Sequence, residues 1–252
     1  MAAYGALSTQ FYDADKPRAP AAEVGWYAER LPDVAEPVLE VMCGSGRLLI
    51  PLLEEGLTVH GCDASAAMLA SCEARLDALG YARTLFRQDA TALNLPFRYA
   101  AAFVAAGSFQ LLAERVSALA ALERIRAHLV DPGYLFLDLF VPAEAAHPPG
   151  APIVEARTVT LPDGTRIACR AETRVDVENR RVDVQSRYEK RTGPLILARE
   201  DETLALTWYD EDEIAELLAR AGYRDVTLEP AAWASTRGAP EGERRFAVRA
   251  RA

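Results

Sequence analysis

From Val38 onward, short runs of consecutive apolar residues alternate with segments whose apolar positions recur at helical spacing. This is the pattern of an α/β fold around a mostly parallel sheet, whose strands are covered on both faces. Val38–Met42 predicts a first strand ending in the turn Cys43-Gly44-Ser45-Gly46, and Leu48, Leu49, Leu52 and Leu53 predict a helix that stops at Gly56. Pro51 removes one backbone donor from that helix and predicts a slight kink. Leu57–Cys62 is the predicted second strand. Ser65 is placed to cap the next helix, whose apolar face is Met68, Leu69, Cys72, Leu76 and Leu79 and whose stop is Gly80. Arg83–Gln88 and Ala101–Ala106 predict two further strands. Leu119, Leu122, Ile125 and Leu129 mark a helix closing on the turn Asp131-Pro132-Gly133, and Gly133–Phe140 predicts a fifth strand.

After Pro142 the pattern changes. A loop rich in alanine and proline, Ala143–Pro152, leads into β-branched segments separated by Pro162-Asp163-Gly164 and Glu178-Asn179-Arg180. These predict antiparallel strands over Ile153–Leu161, Thr165–Val177, Arg181–Lys190 and Leu195–Tyr209. Their alternating charge suits a sheet with one wet face. The helical pattern then resumes: Asp210 with Glu213 reads as a capping box for Ile214, Leu217 and Leu218, Gly222 stops that helix, and Asp225–Leu228 and Arg245–Val248 finish as strands. The expected organisation is therefore one α/β domain, residues 1–140 and 209–252, interrupted by an antiparallel sheet at residues 141–208. That insert would serve as a lid or as a homodimer interface.

Composition narrows the partners. The chain has 252 residues, 50% of them hydrophobic, and a net charge of −9, which repels phosphate backbones and anionic membrane surfaces and argues against nucleic acid as a partner. The uncharged run Tyr99 to Ala113 is shorter than the roughly 20 apolar residues of a membrane span, and Asp13, Asp15 and Lys16 stand where a signal peptide would be apolar. Cys43, Cys62, Cys72 and Cys169 have neither zinc nor disulfide-framework spacing and read as buried, reduced thiols. A cytoplasmic protein is expected.

The candidate chemistry starts at the glycine turn. A strand, a glycine turn and a helix let backbone approach a ligand closely, and Gly44 and Gly46 permit the backbone angles that this needs. Dinucleotide sites favour a third glycine where this chain has Leu49. Glu40 precedes the turn, a poor neighbour for a pyrophosphate and a good one for the ammonium of an amino-acid ligand. Asp63 ends the second strand and can accept both hydroxyls of a ribose, or can cap the following helix. Asp89 ends the third strand; it can accept from an adenine amino group beside a backbone donor at Ala90, or stand as a solvated loop residue.

Taken in order, Val38-Leu39-Glu40-Val41-Met42-Cys43-Gly44-Ser45-Gly46-Arg47, Gly61-Cys62-Asp63-Ala64-Ser65 with Met68-Leu69, and Gln88-Asp89-Ala90 resemble the cofactor motifs of class I S-adenosylmethionine-dependent methyltransferases. The resemblance runs from about Val38 to Phe140, with Trp208 to Leu228 similar to the closing helix and strand. Phe11-Tyr12-Asp13 and the late insert resemble small-molecule enzymes such as glycine and deoxysugar N-methyltransferases. It implies a Rossmann-like, seven-stranded, mostly parallel sheet with the last strand antiparallel, and S-adenosyl-L-methionine as cofactor. It implies Glu40 and Gly44 near the methionine moiety, Asp63 at the ribose, and Met68, Asp89 and Ala90 at the adenine, with Gly46 and Ala64 also binding the cofactor. The backbone at Ala105 would lie beside the cofactor, and Tyr12 would close over the methyl group.

One departure bears on mechanism. Relatives often place a histidine after the fourth strand, where this chain reads Gly107-Ser108-Phe109-Gln110-Leu111. His60, His128 and His147 are poor substitutes by position. A neutral amine needs no strong base before attack, so the acceptor is expected to be a small molecule bearing an amine, a carboxylate or an acidic hydroxyl. Candidate pocket residues are Tyr4, Tyr12, Phe109, Gln110, Phe140, Tyr188, Trp208 and Tyr209, each of which could instead serve the core. A nicotinamide-dependent oxidoreductase and a cofactor-binding protein without methyl transfer are the competing readings.

Overall fold

The computed structural model describes residues 3–31, 36–143, 151–231 and 243–252. Two helices, α1 (Ala6–Asp15) and α2 (Ala21–Arg30), precede the first strand. The α/β region then runs β1 (Val38–Val41), α3 (Leu49–Glu54), β2 (Val59–Asp63), α4 (Ala66–Leu79), β3 (Leu85–Arg87), β4 (Tyr99–Val104), α5 (Arg115–Ala127) and β5 (Leu129–Val141). Four long strands follow, β6 (Ile153–Thr160), β7 (Arg166–Asp176), β8 (Arg181–Thr192) and β9 (Leu195–Thr207), and the chain closes with α6 (Glu211–Arg220), β10 (Arg224–Pro230) and β11 (Arg244–Arg251).

Seven strands form one sheet in the order β10-β11-β5-β4-β1-β2-β3, and β6-β7-β8-β9 form a separate antiparallel sheet. In the large sheet β11 alone runs antiparallel to its neighbours, β5 and β10. Successive strand residues point to opposite faces. Val38, Phe103 and Phe136 pack against Tyr27, Leu52, Cys72 and Leu76. Leu39, Ala102, Val104 and Leu137 pack against Leu122, Ile125, Leu217 and Leu218 on the other face. The result is the three-layer α/β sandwich that the apolar runs require.

Local signals set the helix ends. Ser65 accepts from the Met68 N–H at 3.2 Å, and Gly80 closes α4 in a left-handed conformation. Asp210 and Glu213 form the expected reciprocal capping box on α6. Arg180, in the turn between β7 and β8, pairs with both acids at 2.9 and 2.7 Å and fastens the second sheet to α6.

Two expectations change. The turn Asp131-Pro132-Gly133 does not separate α5 from β5; it is an irregularity within β5, whose pairing with β4 jumps from Tyr99 with Leu129 to Ala101 with Tyr134. Pro51 falls in the first turn of α3, where a missing donor costs little. Its effect is specific: the Arg47 carbonyl accepts instead from the Ala19 N–H at 2.9 Å, tying the N-terminal segment to the glycine turn.

Helix α1 lies on the smaller sheet, with Leu7 and Phe11 packed on Ile167, Cys169 and Tyr188. All four cysteines are free and buried. No described helix is long and apolar enough to cross a membrane. His147 and most of the expected loop Ala143–Pro152 lie outside the described residues.

Candidate functional site

A cavity of about 690 Å³ opens at the carboxyl ends of β1 to β4, where ligands gather in open α/β sheets. Of the expected cofactor residues, Tyr12, Glu40, Gly44, Asp63, Ala64, Met68, Asp89, Ala90 and Ala105 all line it. Gly46 does not. A β-carbon on Gly46 would stand 2.7 Å from the Cys72 sulfur, so Gly46 serves packing and its own left-handed turn (φ +80°). A β-carbon on Gly44 (φ +56°) would meet only the Met68 sulfur, at 3.7 Å, so this is the glycine that leaves room for a ligand.

Glu40 is 4% exposed and one of its carboxylate oxygens, Oε2, has no hydrogen-bond partner. Burial pushes its carboxyl well above the usual carboxylate range, and the Arg47 guanidinium opposes that rise. Arg47 is itself committed: it holds Glu23 of α2 through two bonds of 2.7 and 2.5 Å. A buried carboxylate without a dedicated counter-ion is costly, and a bound cation would relieve it.

Asp63 accepts from two backbone donors of the protein itself, while the cap of the following helix falls to Ser65. Its Oδ1 accepts from the Ser65 N–H at 2.8 Å, and its Oδ2 accepts from the Gly44 N–H at 2.9 Å. Burial raises its pKa while these backbone donors hold it down. Asp63 therefore fixes the glycine turn, and the Gly44 N–H points at a side chain of the protein rather than at a ligand. Asp89, which lines the cavity, uses Oδ1 to accept from the Thr91 N–H and hydroxyl.

The other walls come from the two ends of the chain's fold. Strand β9 contributes Glu200 to Ala205, and the segment after β4 contributes Ala106, Ser108 and Leu111 to Ala113. Ala3, Tyr4 and Gly5 close one side, with the Tyr4 and Tyr12 rings edge-on at 5.8 Å. Glu200 accepts from the Leu7 and Ser8 N–H groups at 2.9 and 3.0 Å, capping α1 from a strand distant in sequence. Glu202 accepts from the Tyr4 N–H at 2.6 Å, and the Ser65 hydroxyl donates to the Tyr4 carbonyl at 2.8 Å. Gly5 lies directly against the Glu200 carboxylate, which a β-carbon there would displace.

Six expected acceptor-side residues lie off the cavity. Phe109 and Tyr209 stack on each other in the core, Trp208 is buried beside them, and Tyr188 packs under α1. Gln110 is wholly buried, donating to the Phe140 and Thr207 carbonyls and accepting from the Phe140 N–H; Phe140 lies under Arg245. Their size buries apolar area at the junction of the sheets instead of lining the opening. Tyr4 and Tyr12 alone of that group face the cavity. His60 sits among Phe86, Phe97 and Tyr99, and His128 caps α5 while accepting from the Leu95 N–H, so both are structural.

Sequence reading missed the backbone strain. Among the described residues, five non-glycine residues have positive φ, and three of them line the cavity: Tyr4, Met42 and Ala106. Such conformations cost about 1–3 kcal/mol each and gather at functional sites.

Residues 38–133 match the family model described as a methyltransferase domain. A protein of Geobacillus sp. (strain WCH70), provisionally named a methyltransferase, is 30% identical over 105 residues, a match that spans 42% of this chain and 42% of that protein's length. Among solved structures, an S-adenosylmethionine-dependent methyltransferase from Clostridium acetobutylicum superposes with a TM-score of 0.73 at 17% identity, covering 96% of each chain. The sugar N-methyltransferase KedS8 from Streptoalloteichus sp. superposes at 0.72 and 20% identity, covering 98% of this chain and 93% of that one. At these identities the structural likeness speaks for the fold. The chain contains a methyltransferase domain at residues 38–133, set within the class I, Rossmann-like methyltransferase fold.

Proposed function

We propose that the protein is an S-adenosylmethionine-dependent methyltransferase acting on a small-molecule acceptor. The observation that carries this reading is Glu40: a buried carboxylate with an unpartnered oxygen, at the head of a cavity floored by Gly44. That donor set fits S-adenosylmethionine, which brings an ammonium and a sulfonium, and fits a pyrophosphate poorly. Leu49, buried in α3 where a dinucleotide site would have its third glycine, weighs against a nicotinamide cofactor in the same way.

On this reading Glu40 receives the ammonium, Asp63 the ribose hydroxyls through its remaining lone pairs, and Asp89, Ala90 and Met68 the adenine. Bound S-adenosylmethionine supplies a methyl group on a good leaving group, transferable to a nucleophile by in-line displacement. The chain's part is to align the acceptor and exclude water, and orientation can supply about 7–11 kcal/mol of the barrier. Tyr4 and Tyr12 offer aromatic faces to a cation. Burial raises the phenols of both, so they serve as donors and walls rather than as bases.

Leu111 lines the cavity where a histidine base is absent, and the β9 carboxylates at its wall are already engaged, Glu200 and Glu202 by N–H groups of the N-terminal segment and Asp201 by Arg187. A cavity without a strong base supports an amine acceptor, which attacks as the neutral form. The sugar N-methyltransferase among the structural neighbours supports the same class. The β9 sheet and α1 act as the lid over that acceptor.

The reading is tested by equilibrium binding of S-adenosylmethionine against NAD, followed by methyl transfer to a panel of amines, carboxylates and phenols. Selective S-adenosylmethionine binding and transfer to amines are expected. Preference for NAD would overturn the cofactor assignment, and cofactor retention with no transfer across the panel would overturn the enzymatic one.

A further inference from the structure

Asp138 lies within β5 and does not line the cavity, yet it is a buried carboxylate bonded to a left-handed turn that does. Its Oδ2 accepts from the Ala106 N–H at 2.9 Å and its Oδ1 from the Gly107 N–H at 2.6 Å. Both residues have left-handed backbones, φ +58° at Ala106 and +68° at Gly107. The two adjacent N–H groups converge on one carboxylate only because the backbone is bent this way, forming a small anion-binding nest filled from within the protein. Gly107 has no alternative, since a β-carbon there would meet the Phe140 ring at 2.9 Å. Ala106 is different: an alanine has no preference for this conformation, so a partner must hold it there.

We infer that Asp138 is a positioning residue for the cofactor, its carboxylate holding the turn after β4 so that Ala105 and Ala106 face the bound ligand. The inference rests on the cofactor reading above and adds a residue that none of its motifs contains. Every other cavity residue in that turn depends on the same two bonds, because Ala105 and Ser108 flank the residues that Asp138 holds.

The surroundings make the hold sensitive to protonation. Burial, with the Glu23 carboxylate, raises Asp138 to about 6, while the two backbone donors and the Arg47 guanidinium act to lower it. Tyr27 of α2 faces it as a neutral phenol. On the β11 side its paired residue is Ala247, and Arg245 and Arg249, two positions either way, lie over the Phe140 and Tyr134 rings. A protonated Asp138 keeps one good acceptor oxygen instead of two, so the turn loosens as pH falls through that value.

The test uses the full chain, S-adenosylhomocysteine as probe and the Asp138→Asn variant. The variant is expected to bind the probe about tenfold more weakly at pH 7.5, since an amide presents one acceptor to two donors. In the wild-type protein the backbone amide resonances of Ala106 and Gly107 are expected to titrate together with a midpoint near 6. A merely structural carboxylate would leave probe affinity unchanged in a folded variant, and that result overturns the inference. If Asp138→Asn does not fold, the wild-type amide titration decides, and amides that stay fixed between pH 5 and pH 7.5 overturn it as well. Wild-type protein that fails to bind the probe at all would overturn the cofactor reading itself, a result distinct from intact binding with an unaffected variant.

Discussion

The two sheets handle charge in opposite ways. In the four-stranded sheet carboxylates lie near water and find arginines: Arg187 pairs with Asp201 at 2.7 Å, and Glu189 takes both Arg191 and Arg199. In the large sheet β1 is buried throughout, and its one charged residue, Glu40, keeps an oxygen without a partner. Exposed pairs of the first kind contribute little, about 0–1 kcal/mol, and signify a solvated face. An unmatched buried carboxylate is expensive, and a fold tolerates it where a ligand completes it. The contrast separates scaffold from site more sharply than residue type does.

Breaking the large-sheet side of this contrast should have the largest effect. Glu40→Gln is expected to weaken S-adenosylmethionine binding by about 2–5 kcal/mol, the range for removing one partner of a buried charge pair. The same substitution should stabilise the ligand-free protein. A carboxyl raised by burial binds its proton more tightly when folded, so stability falls as pH rises above the ordinary carboxylate range. Thermal melting against pH should show that decline in the wild type and a shallower one in Glu40→Gln. Next comes Asp63→Ala, expected to cost about 1–3 kcal/mol of cofactor affinity because it removes the ribose acceptor and releases the Gly44 N–H. An unchanged dissociation constant would remove Asp63 from the cofactor site.

The smaller sheet should respond differently. Glu200→Ala leaves two N–H groups at the start of α1 without their acceptor and is expected to cost about 0.5–2 kcal/mol of stability, by analogy with a lost helix cap. If the sheet and α1 form the lid, KM for the acceptor should rise while cofactor affinity moves little. The reverse pattern in steady-state kinetics would assign Glu200 to the cofactor half. Smallest of all, Arg187→Ala should change the melting free energy by less than about 0.5 kcal/mol and leave kinetics untouched.

Much of this was legible along the chain because its signals are local. Ser65 and Gly80 bound α4, Asp210 and Glu213 start α6, and the apolar runs of β1, β4 and β5 carry the sandwich. Glu40, Asp63 and Asp89 stand at or within two residues of strand ends, so placing the strands placed them. The acceptor side was not legible in that way. Large aromatics such as Trp208 and Tyr209 line pockets and fill cores equally well, and here they fill the core. The walls that face the cavity include Leu112, Ala113, Leu204 and Ala205, whose residue types announce nothing. The positive φ at Met42 and at Ala106 falls on non-glycine residues just ahead of the glycines that mark those turns, and at Ala106 the hydrogen bond donated to Asp138 holds a conformation that the residue itself does not favour.

The central claim is that the unpartnered carboxylate of Glu40 receives the charged amino-acid end of the cofactor. The direct measurement is calorimetric binding of S-adenosylmethionine and of 5′-methylthioadenosine, which lacks that ammonium, to the wild type and to Glu40→Gln. The account predicts that the variant loses affinity for S-adenosylmethionine by at least about thirtyfold while its affinity for 5′-methylthioadenosine stays the same. Equal losses for both ligands, or no loss for either, would contradict it.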